Sequence, residues 1–141
     1  MSDNNRNIKF DRANPYYNGS VQKLYSVIDD PGSLVSETSM GGSVFDVGTI
    51  FEIKGSDTVR AGFRHLVYKS LMDVNEWDDI ESYIKAHWGE DYFKNEAIIQ
   101  KTLEKVKATG LRTHHQGMIG PHDEKLYASS FPQELSNLTL I

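Results

Sequence analysis

The hydrophobic pattern of this sequence changes twice along the chain, and this change constrains the fold most. Apolar residues alternate as in strands up to about residue 53, recur at helical spacing from about residue 58 to residue 108, and return to short strand-like runs from Leu111. Strands and helices that are segregated along a sequence are typical of α+β proteins. The sequence therefore predicts an α+β fold in which helices pack on one face of an antiparallel sheet.

The length and composition predict one ordered domain. The chain has 141 residues, of which 38% are hydrophobic, enough for one apolar core. Residues 1–14 are polar, and Asn14 precedes a proline, which favours extended backbone. We therefore expect a flexible tail over residues 1–14 and a single α+β domain over residues 15–141.

The first and last parts of the chain carry the strand signals. A loosely alternating run from Tyr16 to Ile28, a turn over Asp29–Ser33 and a short strand over Leu34–Thr38 predict a β-hairpin. Residues 43–53 are rich in β-branched and aromatic side chains and predict a further strand. The apolar residues 138–141 predict a docked strand.

Three helices are predicted in the middle of the chain. The first begins at an N-cap of Ser56 or Asp57 and runs from about Thr58 to Met72. The second covers about residues 74–87, and the third covers about 91–108, where Gly110 stops it. The predicted buried stripe of the first helix consists of apolar residues at helical spacing: Val59, Phe63, Leu66, Val67 and Leu71.

Composition also excludes several classes of site and location. The sequence contains no cysteine, so it has no disulfide and no thiolate nucleophile. The formal net charge of −5 disfavours broad nucleic-acid binding, which requires clustered Lys and Arg. No apolar run approaches the roughly 20 residues of a membrane span, and the polar start is unlike a secretion signal. We therefore expect a cytoplasmic protein without a membrane partner.

A basic group near the start of the first predicted helix is a candidate anion site. Lys54 precedes the start of this helix, and Arg60 and Arg64 lie in its first turns. At a helix start, unpaired backbone N–H groups and the helix dipole favour negative charge. Arginine side chains suit phosphate oxygens because their donors form a planar fork. The alternative is a solvated helix face on which these cations pair with Asp and Glu.

The histidines admit a structural or a ligand-binding interpretation. His114 and His115 are adjacent, so in an extended segment they point in opposite directions and are not expected to chelate one ion together. No His-x-x-x-His spacing or cysteine accompanies His65, and we expect no structural zinc site.

Three segments, in this order, resemble the first lobe of the phosphoribosylaminoimidazole-succinocarboxamide synthase family. Residues 19–25 (GSVQKLY) are similar to the first hairpin of that family, Ser43-Val44-Phe45-Asp46 resembles its Ser-Ala-Phe-Asp segment, and residues 109–115 resemble its Gly-Ile-Pro-Thr-His-Phe segment. Residues 135–141 fall near the strand that closes the lobe. The resemblance extends over about residues 16–141.

The resemblance implies a nucleotide-binding lobe like that of a protein kinase and chemistry that uses ATP with Mg²⁺. In this family ATP activates a carboxylate as an acyl phosphate, which the amine of aspartate then attacks. The second lobe, which holds most metal and substrate groups, has no counterpart before Ile141. Ser20 and Gln22 stand where the family has a lysine and often a second basic residue.

The site residues that these arguments nominate share a proposed contact with a nucleotide or a phosphorylated ligand. Lys23, Lys54, Arg60 and Arg64 would face phosphates, Val21 and Phe45 would border the base, and the others follow the matched segments. The full set is Gly19, Ser20, Val21, Lys23, Phe45, Asp46, Lys54, Ser56, Arg60, Arg64, Thr113 and His114.

Three functional interpretations follow from the sequence. The first is a ligase relative that completes its site between the subunits of a homo-oligomer or with a partner. The second is a binding module without catalysis, which sequesters or senses a nucleotide or inhibits another protein. The third is a small enzyme with different chemistry on the same fold.

Overall fold

The computed structural model describes residues 6–43, 49–89, 91 and 97–141, and confirms an α+β chain. Its contacts cluster into two compact units, where the sequence predicted one domain over residues 15–141. The first unit comprises Met1–Leu66 with His114–Ile141, and the second comprises Val67–Thr113.

Eight strands and three α-helices lie within the described residues. The strands are β1 (Tyr17–Asn18), β2 (Gln22–Val27), β3 (Asp30–Thr38), β4 (Gly41–Ser43), β5 (Thr49–Glu52), β6 (Gly117–Ile119), β7 (Leu126–Tyr127) and β8 (Leu138–Leu140). The helices are α1 (Ser56–Met72), α2 (Trp77–Trp88) and α3 (Ala97–Thr109), and a 3₁₀ turn over Val74–Glu76 leads into α2. None of these helices combines the length and apolar character required to cross a membrane.

A six-stranded antiparallel sheet organises the first unit, with strand order β1-β2-β3-β8-β6-β7. The predicted C-terminal strand is confirmed as β8, and it lies between β3 and β6 rather than at an edge. Val35 pairs with Leu140, and Leu138 pairs with Ile119. Residues 138–140 therefore join two parts of the sheet that are distant in sequence.

The apolar core of the first unit lies on one face of this sheet, which we call the apolar face. Alternation along β3 and β8 directs Val35, Leu138 and Leu140 to the same side. The buried residues of this cluster are Ile8, Tyr25, Val27, Val35, Ile119, Leu126, Leu138 and Leu140, with Phe10 packed against them.

The expectation of a flexible tail over residues 1–14 is wrong for residues 6–11. Ile8 is 1% exposed, and its backbone N–H donates to the carbonyl of Glu124 at 2.8 Å. The carbonyl of Arg6 accepts from the backbone N–H of Leu126, and Phe10 forms a bridge with Val27. Ile8 and Phe10 alternate along this segment and bury their side chains in the core. Their neighbours in sequence are mostly polar, so the sequence predicted a polar tail instead.

The first hairpin is confirmed, but its turn is tighter than predicted. Ile28 and Asp29 connect the strands, and Asp29 adopts φ 71°. The register shifts between Ser26 and Val27, so residues 31–33 are accommodated within β3 as an irregularity. Asp29 provides the left-handed conformation that the turn requires.

The strand predicted over residues 43–53 is not continuous. β4 and β5 form a separate two-stranded antiparallel sheet in which Gly41 pairs with Glu52. Residues 44–48 lie outside the described part of the chain.

Helix α1 is confirmed, but the prediction of its buried stripe is wrong for four of its five residues; Leu71 alone is partly buried, against the core of the second unit. Val59 and Phe63 are 62% and 66% exposed, and Leu66 and Val67 are also exposed. The buried residues are instead Ala61, Gly62 and His65. A methyl group at residue 62 would lie 3.1 Å from the Leu135 side chain. The small residues of α1 therefore allow this part of the helix to pack closely against the segment that contains Leu135.

The second unit has its own small core, formed by α2 and α3. Trp77, Leu103 and Val106 are buried, and partly buried apolar residues pack against them. The predicted helix end at Gly110 is confirmed: its φ is 75°, and an added Cβ would lie 2.2 Å from the carbonyl oxygen of Met72. Only glycine fits this position without strain.

Candidate anion site and a buried histidine pair

Two arginines of α1 lie beside the end of β3 and form the first candidate site. Arg60 donates from Nε to the carbonyl of Ser56 at 3.2 Å and from Nη2 to the carbonyl of Ser39. Arg64, one helical turn later, places Nη1 3.5 Å from Oγ1 of Thr38. We call Arg60, Arg64, Thr38 and Ser39 the arginine cluster.

The turn before β2 is connected to this cluster through Ser39. The hydroxyl of Ser39 donates to the carbonyl of Ser20 at 3.1 Å, and its backbone N–H donates to the carbonyl of Val21 at 2.8 Å. The turn is tight, because a Cβ at Gly19 would lie 2.8 Å from the carbonyl oxygen of Gln22. Three predicted site residues, at positions 19–21, therefore lie close to the arginine cluster.

The start of α1 is attached to the same region. The Ser56 hydroxyl donates to the carbonyl of Met40 at 3.3 Å, next in sequence to Ser39. Lys54 is exposed just before the helix, but no described contact joins its side chain to Arg60 or Arg64. The structure thus brings Ser56 to the cluster and leaves Lys54 at its margin.

Among the residues that the structure describes, the arginine cluster carries positive charge without a carboxylate paired to it. Within the described residues, neither Arg60 nor Arg64 forms a salt bridge, whereas Arg6 and Arg12 pair with Asp30 and Glu37. Arg60 is exposed, and its two contacts with carbonyl oxygens leave part of its five-donor guanidinium for other acceptors. Such an arrangement suits an anion, because the protein orients the cation without neutralising it.

Lys23 lies on the other side of the sheet from the arginine cluster. It pairs with Glu37 and shares its face with Tyr25, which belongs to the apolar core. Thr38, the partner of Arg64, pairs with Gln22 and faces the opposite way. Lys23 is therefore not brought together with the two arginines.

The remaining predicted site residues are distributed elsewhere. Thr113 belongs to the second unit, where its hydroxyl lies 3.0 Å from the sulfur of Met72. His114 is exposed in the segment before β6. Phe45 and Asp46 lie outside the described residues.

A buried pair of histidines forms the second notable cluster of the first unit. Nδ1 of His65 lies 2.7 Å from Nε2 of His115, and the two side chains belong to residues that are 0% and 4% exposed. Nε2 of His65 lies 2.7 Å from the carbonyl oxygen of Ser130, and the Phe131 ring makes an edge contact with His65 at 4.9 Å. The pair connects α1 with two segments of the chain more than 45 residues away.

The partners assign the proton positions of the neutral pair. A carbonyl oxygen only accepts, so Nε2 of His65 carries a proton and donates to Ser130. Nδ1 of neutral His65 is then an acceptor, and Nε2 of His115 donates to it. The pair is a directed chain of hydrogen bonds that runs from His115 through His65 to Ser130.

Burial lowers the pKa of His115 from 6.5 to about 4, and repulsion from His65, His114 and Arg64 adds to the effect. His115 is therefore neutral at pH 7. The sequence did not predict that His65 and His115 pair, because they are 50 positions apart. The small neighbours of His65, Ala61 and Gly62, are the one signal that this side of α1 is buried.

Across residues 6–43, 49–89, 91 and 97–141, no group of three or more His, Asp or Glu side chains is placed to hold a metal ion. No protein-family model, curated protein or solved structure matches the chain.

Proposed function

We propose that this chain binds a phosphorylated small molecule of the nucleotide type at the arginine cluster. The observation that carries the proposal is the position of Arg60 and Arg64. They are one turn apart on α1, both contact the end of β3, and neither has a carboxylate partner among the described residues. Arginine forks bind phosphate oxygens with two parallel hydrogen bonds, which gives the site its preference for that group.

The resemblance to the synthase family makes ATP with Mg²⁺ the first ligand to test. In the catalytic form of the proposal, ATP activates a carboxylate, and a second copy in a homo-oligomer or another protein supplies the groups of the second lobe. In the binding form, the cluster holds the phosphorylated ligand without turnover.

One contact favours the binding form. The side-chain amide of Gln22, which stands where the family often has a basic residue, donates to the hydroxyl of Ser36. Ser36 is buried within the sheet. Gln22 therefore stabilises the fold and supplies no cation to a ligand. The arginines of α1 are then the principal cations of the site.

A thermal-shift series with AMP, ADP, ATP, ATP with Mg²⁺, and carboxyaminoimidazole ribotide tests the proposal. A ligand present at 100 times its dissociation constant stabilises the folded state by roughly 2.7 kcal/mol, which is several degrees in Tm for a protein of this size. We expect the double variant Arg60→Ala/Arg64→Ala to lose this shift. Lys101→Ala/Lys105→Ala is the matched control, because it removes two exposed cations at the same spacing on α3.

Two results would contradict the proposal: the absence of a shift with all of these ligands, or a shift that survives loss of both arginines. Light scattering with and without the bound ligand, together with a phosphate-release assay, separates the catalytic form from the binding form. A monomer that binds without releasing phosphate supports a binding module.

A further inference from the structure

The outer side of α1 carries an apolar stripe that the first unit does not cover. Val59, Phe63 and Leu66 follow one another at intervals of four and three residues, so they share one side of the helix. They are 62%, 66% and 44% exposed. Over residues 59–66, the helix thus directs its small residues and His65 inward and its large apolar residues outward, the reverse of a surface helix.

The charged residues of α1 that border this stripe are basic. Arg60 and Arg64 follow Val59 and Phe63 by one position and border the stripe, and α1 contains no acidic residue after Asp57. The chain as a whole carries a net charge of −5, so this basic surface differs from the average surface. A partner that covers the stripe would gain by placing carboxylates along its border.

We propose that this stripe is a docking surface for an acidic amphipathic helix of another protein. Such a helix presents apolar side chains at spacings of three and four residues, which match the intervals in α1, and glutamates or aspartates at the edge of its apolar side would lie near Arg60 and Arg64. The inference goes beyond the binding of a phosphorylated ligand, because the stripe residues are not part of the arginine cluster.

The same features disfavour a second copy of this chain as the occupant. If α1 packed antiparallel on α1 of another copy with the Phe63 residues at the centre, each copy would bring its two arginines towards those of the other. Like charges in contact oppose association. The apolar area of three side chains is a few hundred Å² on one partner, below the roughly 600 Å² that each partner buries in the smallest stable complexes, so we expect about micromolar affinity.

Two synthetic helical peptides test the inference. Both are 18 residues long and carry leucines at alternating intervals of three and four; one has glutamates beside the leucines and the other has lysines. We expect the intact protein to bind the glutamate peptide at least about tenfold more tightly, measured by fluorescence anisotropy. Phe63→Ser should weaken this binding by about tenfold or more, and Tyr83→Ser, which removes an exposed aromatic ring from α2, should leave it unchanged.

Reversal of the charges provides the sharper test. In Arg60→Glu/Arg64→Glu, with folding verified by circular dichroism, the preference should change to the lysine peptide while Phe63 still contributes. If this variant lost nucleotide binding but still preferred the glutamate peptide, the docking inference would be wrong while the proposed function would stand. Phe63→Ser keeps both arginines and should retain any nucleotide-induced thermal shift.

Several outcomes would overturn the inference. Equal affinity for the two peptides would show that charge does not select the partner. Binding of neither peptide would show that the stripe does not dock an amphipathic helix. A dimer detected by light scattering that Phe63→Ser converts to a monomer would identify a second copy as the occupant. Sedimentation with vesicles of anionic phospholipid that Phe63→Ser abolishes would identify a membrane surface instead.

Discussion

The two faces of the six-stranded sheet differ in the polarity of the side chains that they bury. On the apolar face, Val35, Leu138 and Leu140 belong to one continuous core. On the other side, which we call the polar face, the same strands bury Ser36 and Thr139, and Thr38 contacts Arg64. Met118, with 0% exposure, and the half-buried Leu24, which pairs with Ser36, are apolar residues on this face.

This difference separates stability from specificity. Apolar burial stabilises the folded state without requiring a particular partner for each atom. Buried hydroxyl and imidazole groups stabilise it only where each finds a hydrogen bond, and an unmatched group costs free energy. The apolar face therefore stabilises the fold through buried area, while the polar face contacts α1 through Thr38 and Arg64, and the buried pair of His65 and His115 holds α1 to the segment before β6.

The largest expected effect is on the apolar face. Leu140→Ala should lower the free energy of unfolding by about 2–5 kcal/mol, because the side chain is 0% exposed and the substitution leaves a cavity in the core. Urea unfolding measures the loss. Val59→Ala, at a position that is 62% exposed, is the control and should change the value by no more than about 0.5 kcal/mol. Similar losses in the two variants would contradict the assignment of the core.

The second prediction concerns pH and the polar face. The pKa of His115 is about 4 in the folded protein and near 6.5 in the unfolded chain. Between these values the unfolded chain binds the additional proton, so the stabilisation present above pH 6.5 is lost as the pH falls towards 4. We expect this group to lower the free energy of unfolding by up to about 3 kcal/mol over that interval.

Urea titrations at pH 7.5, 6.0 and 5.0 measure this dependence. His115→Gln should flatten it, whereas His114→Gln, which removes the exposed neighbouring imidazole, should not. If His115→Gln kept the full slope, the buried histidine pair would not be its source.

The smallest expected effect comes from a single hydroxyl on the polar face. Oγ1 of Thr139 is buried, and it neither accepts nor donates a hydrogen bond among the described residues. Thr139→Val replaces it with a methyl group of similar size and should leave the free energy of unfolding unchanged or raise it by about 1 kcal/mol. Ser36→Ala should instead lower it by about 1 kcal/mol, because it removes the acceptor of the Gln22 amide. Destabilisation by Thr139→Val would indicate a hydrogen bond that this face requires.

Local patterns in the sequence predicted the elements better than their packing. The bounds of α1, the helix end at Gly110 and the strand at residues 138–140 follow from caps, glycine and apolar runs, which act over a few residues. The side of α1 that is buried does not follow from these signals, because it depends on contacts between His65 and segments near residues 115 and 130. The large apolar residues of α1 therefore predicted the wrong inner face.

The candidate site shows the same limit. Arg60, Arg64 and Ser56 were nominated by their places near a helix start, and the structure groups them. Thr38 and Ser39 were missed, because only the docking of α1 against the end of β3 makes them neighbours of the arginines. Lys23 was nominated as a substitute for the basic residues that the family has at the positions of Ser20 and Gln22, but strand alternation places it on the apolar face.

The central position of β8 has a consequence for how the polypeptide is made. As the nascent chain leaves the ribosome, α2 and α3 can form from neighbouring residues, whereas β3 and β6 cannot be joined until residues 138–140 have emerged. Until then, the apolar side chains of β2 and β3 lack their contacts with Leu138 and Leu140. The first unit therefore cannot complete its sheet before residues 138–140 have been made, and its strands remain incompletely paired until that point.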